Sequence, residues 1–423
     1  MKPKPRKSPN AAPRVSALDA EARQLVARVC TAFHGVLSAL GVSTLRACDL
    51  EAKLRLHKTM AWKIFRVAHS SDPLDEAGCI PGPEGIEIFL RAAARHDVPE
   101  LLLREVREAV KGFRSLAELH ADDRPSLDAM LRGMSPRAGA PSDLRSARRA
   151  AYRCASYTWG EQTQARILSV IYAPTDPSTC DVVTIRGMIG LRRMREGVQL
   201  ALTRTIEHDS GRPNASKSGA QAIEPEGVAG GVPLLRAFCS SVPEVVPETQ
   251  PDGSLVYRFG DGRVGNAAAI TAFTGDIRRN LVGAIHRDEA NAINAVLMRV
   301  LKPTALSVVE MWAPPGLWRC APIGHLLCAL ERNPVTSPPE TWRELVLVES
   351  AEHRGCGIDA AELREVPEYP AVIARVFSRL GWNVEDFESH RMKVEYPVVG
   401  TCIGLTVELD PVRKARSRGE TRA

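Results

Sequence analysis

Two histidine–cysteine pairs share one spacing and could bind a metal ion. His325 and Cys328 are three residues apart, and so are His353 and Cys356. Two imidazole nitrogens and two thiolates can hold Zn²⁺ in a tetrahedral structural site. The first pair, however, lies in the apolar segment IGHLLCAL, which we interpret as helical and in which Cys328 would be a small core residue. We therefore expect no cofactor, with structural zinc as the alternative.

A glycine motif of the dinucleotide-binding type occurs at Gly260, Gly262 and Gly265. It follows a predicted strand and precedes an alanine-rich segment predicted as a helix, the order in which glycines admit a pyrophosphate to a helix N-terminus. The preceding strand contains Arg258, whereas a buried parallel strand is apolar throughout. Asp261 followed by Gly262 is also typical of a hairpin turn. We therefore favour a turn over a nucleotide site.

Charged residues cluster at three further places. The first comprises Arg145, Arg148, Arg149 and Arg153, with Tyr152, Tyr157 and Trp159 nearby. The second comprises Arg192, Arg193 and Arg195, and the third Glu385, Asp386, Glu388 and His390. Arginines with neighbouring aromatic rings could contact phosphates and stack on bases. Because charge runs are usually solvated faces, we favour that interpretation for the arginines, and we interpret the acidic group as a solvated turn before a strand.

The stretch from Leu50 to Arg66 combines an apolar and a basic helical face. Leu50 and Leu54 share one face of a short helix, followed by Leu56 at a turn. On a second helix Ala61, Ile64, Phe65 and Ala68 would pack back onto these leucines. The opposite face carries Thr59, Trp62, Lys63 and Arg66, with Lys58 just ahead. A polar, basic face of this kind fits the major groove of DNA.

This stretch resembles the helix-turn-helix family of DNA-binding modules, over about residues 20–69. The family's apolar positions are occupied here by Leu50, Leu54, Leu56, Ala61 and Ile64. Two positions depart from the pattern, since Glu51 replaces a small residue and Arg55 replaces the turn glycine. Arg55 must therefore adopt a left-handed conformation or open the turn by one residue. The resemblance implies that a dimer binds two DNA half-sites through Lys58, Thr59, Trp62, Lys63 and Arg66.

The pattern of apolar residues predicts a multi-domain protein, with an all-α helix-turn-helix domain over residues 16–135. One helix runs from a cap near Ser16 to about Leu40, and further helices follow a break at residues 70–85. Residues 1–15 are predicted to be a disordered basic arm, and 136–145 a linker.

From residue 146 to 410 short β-branched segments bounded by turns predict an α+β region with mostly antiparallel strands. The predicted strands are 166–172, 181–189, 255–259, 305–312, 342–348, 392–398 and 402–409. Helices are predicted at 267–301 and 360–380, a flexible loop at about 208–231, and a disordered basic tail at 411–423.

The composition is that of an ordinary globular protein: 423 residues, 44% hydrophobic, 25% charged, with a formal net charge of +6. No apolar run is long enough to span a bilayer, and no apolar segment follows the basic N-terminus as in a secretory signal. The ten cysteines are scattered without a CxxC pair, which favours reduced thiols. We therefore expect a cytoplasmic protein with no membrane partner.

Taken together, the sequence predicts a DNA-binding transcriptional regulator rather than an enzyme. Its α+β part would sense an unknown small-molecule effector or support a homodimer. Two alternatives stay open. One is an enzyme with a nucleotide or small-molecule site in the α+β region. The other is a protein–protein interaction scaffold.

Overall fold

A computed structural model describes residues 17–42, 46–121, 123–134, 141–205, 219–240, 245–249, 255–285, 292–318, 320–330, 334 and 337–409. By their internal contacts the residues form two compact units, one up to residue 140 and one from residue 141 onwards. The predicted basic arm, the basic tail and residues 208–218 of the predicted loop lie outside the described residues. Residues 141–145, predicted as part of a linker, are helical instead.

The described part of the first unit contains helices and no strand. The helices are α1 (Ala17–Ala39), α2 (Ala47–Leu54), α3 (Lys58–Ala68), α4 (Pro83–Ala94), α5 (Glu100–His120) and α6 (Arg124–Met134), with a 3-10 helix at Pro73–Cys79. Val26, Val29 and Phe33 of α1 are fully buried, because they recur at helical spacing on the face that packs against α3 and α5. In the described residues, no helix combines the length and apolar character needed to cross a membrane.

The turn between α2 and α3 is short because Arg55 adopts the left-handed conformation, with φ 51° and ψ 42°. The backbone N–H of Leu56 donates to the carbonyl of Glu51 at 3.2 Å, and the Leu56 side chain is buried. His57 then caps α3, since its Nδ1 accepts a hydrogen bond from the N–H of Thr59 at 3.3 Å. Of the two conformations that the sequence allowed for Arg55, the chain adopts the left-handed one.

The second unit combines helices with several sheets, so the predicted α+β composition is confirmed. Its helices are α7 (Pro141–Trp159) and α8 (Tyr369–Leu380). Its strands are β1 (Glu161–Pro174), β2 (Thr179–Arg193), β3 (Ala201–Thr205), β4 (Gln221–Ala222), β5 (Val228–Ala229), β6 (Val232–Pro233), β7 (Val245–Thr249), β8 (Leu255–Phe259), β9 (Ile270–Val282), β10 (Ile293–Arg299), β11 (Thr304–Ala313), β12 (Ile323–Cys328), β13 (Glu352–Cys356), β14 (Glu388–Glu395) and β15 (Thr401–Glu408).

A seven-stranded sheet in the order β13-β14-β11-β1-β2-β9-β4 forms the centre of this unit. Its strands pair antiparallel except β1 and β11, which are parallel. One face packs against α8, and the other against a three-stranded sheet, β10-β15-β12. A second three-stranded sheet, β3-β8-β7, shares a core with parts of β2 and β9.

Further predicted elements of the second unit differ in the structure. Residues 267–301, predicted as a helix, contain β9 and β10. Most of β9 is buried without regular alternation, and such a strand lacks the period-2 pattern that separates it from a helix. Residues 342–348 contain only an isolated bridge at Glu344 instead of a strand. The helix predicted at 360–380 begins at Tyr369, where Pro370 is accommodated in its first turn.

A fully buried carboxylate, that of Glu310 on β11, lies at the centre of the large sheet. Its Oε1 accepts hydrogen bonds from Ser389 Oγ at 2.8 Å and from Arg391 Nε and Nη2 at 2.9 and 2.6 Å. Its Oε2 accepts from Trp312 Nε1 at 2.9 Å and from the Tyr369 hydroxyl. Burial and the adjacent carboxylate raise the pKa of Tyr369, so this hydroxyl stays a donor. A buried ion pair is tolerated only with this degree of hydrogen bonding.

The guanidinium of Arg391 also extends the network beyond the sheet. Its Nη1 donates to the carbonyl of Glu362 at 2.6 Å and its Nη2 to that of Ala360 at 3.0 Å. Ala360 belongs to the 3-10 helix Ile358–Ala361, which precedes α8. Arg391 therefore joins β14, β11 and the segment that leads into α8.

Replacing Arg391 by Met should lower the free energy of unfolding by about 3–5 kcal/mol, because the charge of Glu310 stays buried without its guanidinium. Lys393, two residues further along β14, pairs with the partly exposed Glu365 at 2.8 Å. Lys393→Met should cost no more than about 1 kcal/mol. Urea unfolding of the two full-length variants measures both values. Equal losses would contradict a structural role for the buried pair.

Candidate DNA-binding helix and basic cavity

The five residues predicted to contact DNA share one face of α3. Lys58, Thr59, Trp62 and Arg66 are exposed and Lys63 is half-buried. At 3.6 residues per turn these five positions fall within an arc of about 140°. The opposite side of α3 is buried through Ala61, Ile64 and Val67. The hydrophobic core of the first unit thus determines which face of α3 points to solvent.

Arg66 is held by contacts within the first unit. Its guanidinium carbon lies 5.0 Å from the centroid of the Trp62 ring, and it forms an ion pair with Glu76 in the 3-10 helix Pro73–Cys79. Glu76 is only 7% exposed and also accepts a hydrogen bond from Cys79 Sγ at 3.3 Å. Lys58 and Lys63, by contrast, form no ion pair within the described part of the chain. They are therefore the cations on this face that are available to a ligand.

The arginines of α7 are largely engaged inside the second unit. Arg148 is buried, pairs with Glu349 at 2.5 Å and donates to the carbonyl of Val346 at 3.2 Å. Arg145 pairs with Glu395. The guanidinium carbon of Arg149 lies 5.7 Å from the centroid of the Tyr396 ring, and Arg153 is exposed. For Arg148, both the predicted phosphate contact and the solvated-face interpretation are wrong, because its charge is buried against a carboxylate.

The glycine motif joins two strands rather than a strand and a helix. Gly260, Gly262 and Gly265 lie between β8 and β9, and only the 3-10 helix Asn266–Ala268 follows them. Arg193 Nη2 donates to the carbonyl of Gly260 at 2.7 Å, and a Cβ on Gly262 would lie 2.6 Å from Arg193 Nη1. The lack of a side chain at Gly262 therefore accommodates this arginine. No α-helix N-terminus adjoins the motif within residues 255–282 to receive a pyrophosphate, so the nucleotide site suggested by the glycine spacing is not formed here.

The four predicted zinc ligands lie on strands of different sheets. His325 and Cys328 belong to β12, so the segment interpreted as helical is a strand, and His353 and Cys356 belong to the edge strand β13. His325 instead contacts Glu344 Oε1 and Thr406 Oγ1, each at 2.8 Å. Within the described residues the ligand atoms of these four side chains do not form a converging group, so the structure gives no support to this ligand set.

Metal-binding atoms do converge elsewhere in the described residues. The ligand atoms of His353, Glu388 and His390 all lie within 4.8 Å of one another. The sequence pattern predicts a solvated turn for Glu388 and His390, but both belong to β14. Their i, i+2 spacing, which places both side chains on one face of a strand, was the signal in the sequence.

A cavity of about 510 Å³ in the second unit was not predicted. Its lining comes from β1, β2, β3, β8, β9 and β10 and from residues near Lys302. The cations that line it are Arg166, Arg186, Arg258, Arg299 and Lys302. Its walls also include apolar side chains, and half-exposed Trp159 from the end of α7 contributes to the lining. A cavity of this size accommodates a small organic ligand.

Three of these cations have carboxylate partners. Arg186 pairs with Asp276 at 2.6 Å, and Arg258 pairs with Glu248. Lys302 pairs with Glu161 at 3.2 Å and donates to a backbone carbonyl at 2.7 Å. Burial lowers the pKa of Lys302, although the neighbouring carboxylate opposes this effect.

The other two cations, Arg166 and Arg299, have no carboxylate within ion-pair distance among the described residues. Arg166 Nη1 donates to the carbonyl of Arg299 at 2.9 Å, and burial lowers the pKa of Arg166 to about 10. Among the described residues, the Nε of Arg299 is buried without a hydrogen-bond partner. Two neighbouring cations in a poorly solvated space lower the electrostatic free energy of any anion that enters.

Comparison with protein-family models, curated proteins and solved structures gave no match to this chain. Its function is therefore inferred from the residues and their arrangement.

Replacing Arg66 by Ala should lower the free energy of unfolding by about 1–3 kcal/mol, because Glu76 is left buried without its charged partner. Lys63→Ala removes the same charge from the same helix and should change stability by no more than about 0.5 kcal/mol. Urea unfolding followed by circular dichroism compares them. An Arg66→Ala protein as stable as Lys63→Ala would show that the pair with Glu76 contributes nothing to folding.

Proposed function

We propose that this protein is a DNA-binding regulator that inserts α3 into the major groove. The observation that carries the proposal is the exposed arc of Lys58, Thr59, Trp62, Lys63 and Arg66, opposite a fully buried apolar face. The eleven residues of α3 extend over roughly 16 Å, and an α-helix fits the width of this groove. The short α2 and the tight turn at Arg55 support the resemblance to a helix-turn-helix module.

We assign different roles to the side chains on this arc. Lys58 and Lys63 form no ion pair in the described residues and are suited to phosphate oxygens, while the Thr59 hydroxyl can reach a base edge or a phosphate. Trp62 is 45% exposed and offers an apolar surface to a thymine methyl group. Arg66 positions Trp62 and retains donors that point to solvent, since its side chain is 43% exposed. We further propose that two copies of the chain bind two half-sites on the DNA.

The DNA proposal is tested with Lys58→Ala/Lys63→Ala in the full-length protein. Retention on random-sequence duplex should weaken, and the slope of log affinity against log salt should become shallower by about one unit for each phosphate that the variant no longer neutralises. Lys111→Ala/Arg114→Ala removes the same charge from exposed positions of α5 and serves as the control. A lack of binding by the wild-type protein at low salt would overturn the proposal. Equal weakening in the two double variants would remove α3 from the interface.

A second function, binding of an anionic small molecule, is favoured by the basic cavity. Arg166 and Arg299 would contact a phosphate or carboxylate group, because they are the lining cations for which the described residues offer no carboxylate partner. The apolar walls and Trp159 would contact an apolar or aromatic body of the same ligand. Such a ligand would serve as the effector of a regulator.

The variant Arg299→Met tests whether the cavity binds anions. Inorganic pyrophosphate and adenosine diphosphate should raise the thermal midpoint of the wild-type protein and bind Arg299→Met at least about tenfold more weakly. The variant without ligand should be at least as stable as the wild type, because the substitution removes a buried nitrogen that has no partner. Arg278→Met, at an exposed position of β9, is the charge-matched control. Unchanged pyrophosphate affinity in Arg299→Met, or no shift of the wild type, would exclude this site for these anions.

A further inference from the structure

The strands at one edge of the seven-stranded sheet bring two histidines and a glutamate to one face. In the antiparallel pair β13 and β14, His353 lies directly opposite His390. Glu388 precedes His390 by two residues, so its side chain emerges on the same face of β14. A register shift between His353 and Gly355 interrupts the pairing just beyond this point. Irregularities of this kind often redirect a side chain at a functional site.

The three side chains are close enough to share one ion. His353 Nε2 lies 3.1 Å from Glu388 Oε2, and the centroids of the two imidazole rings are 4.8 Å apart. Nitrogen and oxygen ligands bind a transition metal at about 2.0–2.2 Å, which places neighbouring ligand atoms roughly 3.0–3.5 Å apart. The ligand atoms now lie within 4.8 Å of one another, so they must move about 1–2 Å closer together to bind one ion. The His353 side chain, 54% exposed, is free to make that movement.

The surroundings leave the ligand atoms available. His390 is 8% exposed, and its ligand atom lies in the same cluster as those of His353 and Glu388. Glu388 forms no ion pair with a lysine or arginine in the described residues, and its contact is with His353. The nearest cation in sequence to His353, Arg354, pairs with Glu352 at 3.8 Å. A carboxylate without a cationic partner beside two imidazoles is a metal-binding environment.

Contacts on both sides of β14 hold this strand in place. Met311 of β11 lies opposite His390, and Met392 continues the same side of β14 into the apolar core. The alternate residues Ser389 and Arg391 point to the other side, where both bind Glu310. The bonds from Ser389 and Arg391 to Glu310 therefore help to fix the positions of Glu388 and His390, which is the support that a metal site requires.

We propose that His353, Glu388 and His390 bind one divalent transition-metal ion. Two imidazoles and one carboxylate suit Zn²⁺ or Co²⁺ and leave at least one coordination position for water, since the site opens to solvent at His353. Cys356 lies opposite Glu388 in the strand register, but its sulfur lies outside the group of converging ligand atoms. The site is thus distinct from a set of two histidines and two cysteines.

The test uses full-length protein stripped with a chelator and titrated with Zn²⁺ by calorimetry and with Co²⁺ by visible absorption. The wild type should bind one ion per chain at this site. Glu388→Gln keeps the shape of the side chain and its hydrogen bond to His353, so it should fold and bind the ion about 100-fold more weakly. His353→Ala, at an exposed position, should have the same effect.

Two control variants separate this site from other ligands in the chain. His325→Ala removes a histidine of β12, which belongs to a different sheet from β13 and β14, and should leave metal binding unchanged. Cys356→Ser should also leave it unchanged, whereas loss of the ion in Cys356→Ser alone would assign binding to the thiol and overturn the proposal. Wild-type affinity and Co²⁺ absorption retained in Glu388→Gln and His353→Ala would overturn it as well.

Discussion

The buried ion pair between Glu310 and Arg391 is the interaction on which the second unit depends. An unpaired charge at the centre of a sheet would be strongly destabilising, and here every oxygen of the carboxylate has at least two donors. The pair joins β11 to β14 and, through backbone carbonyls, to the segment that precedes α8. Because side chains alternate along a strand, the same pair also orients His390 and Glu388 on the opposite face of β14. One polar network thus supports both the fold and the proposed metal ligands.

In the first unit the corresponding constraint is the packing of apolar side chains. The buried side of α3 is held against α1 and α2 by Ala61, Ile64 and Val67, so its outer side presents a fixed set of polar residues. Arg66 links the outer side of α3 to the rest of the unit. Its guanidinium lies over the Trp62 ring and forms an ion pair with Glu76 in the neighbouring 3-10 helix. Arg66 therefore orients its neighbour Trp62 on the outer side of α3, whereas the charges of Lys58 and Lys63 have no partner in the described residues.

The sequence predicted the first unit well, because the apolar residues of its helices recur at helical spacing against a polar outer face. It was less informative for the second unit. The segments that became β9 and β12 lack a regular alternation of apolar and polar residues, so their period did not distinguish strand from helix. The cavity and the cluster of His353, Glu388 and His390 were missed for a topological reason. His353 and His390 meet through the pairing of β13 with β14. Arg166 and Arg299 lie on strands of two different sheets, and the Arg166 side chain reaches the carbonyl of Arg299 between them. The usable signals were single arginines inside apolar strands and the Glu388-x-His390 spacing.

The parallel pairing of β1 with β11 has a consequence for how the chain folds. Ser169 and Glu310, which face each other in this pair, are separated by 141 residues in sequence. Closing a loop of this length carries an entropy penalty that must be met before the pairing contributes any stability, and such non-local topologies fold slowly. The strands that line the cavity lie within this loop or at its ends. During synthesis, therefore, β1 cannot pair with β11 until residues 304–313 have left the ribosome, so this part of the central sheet forms after all the strands that line the cavity have been made.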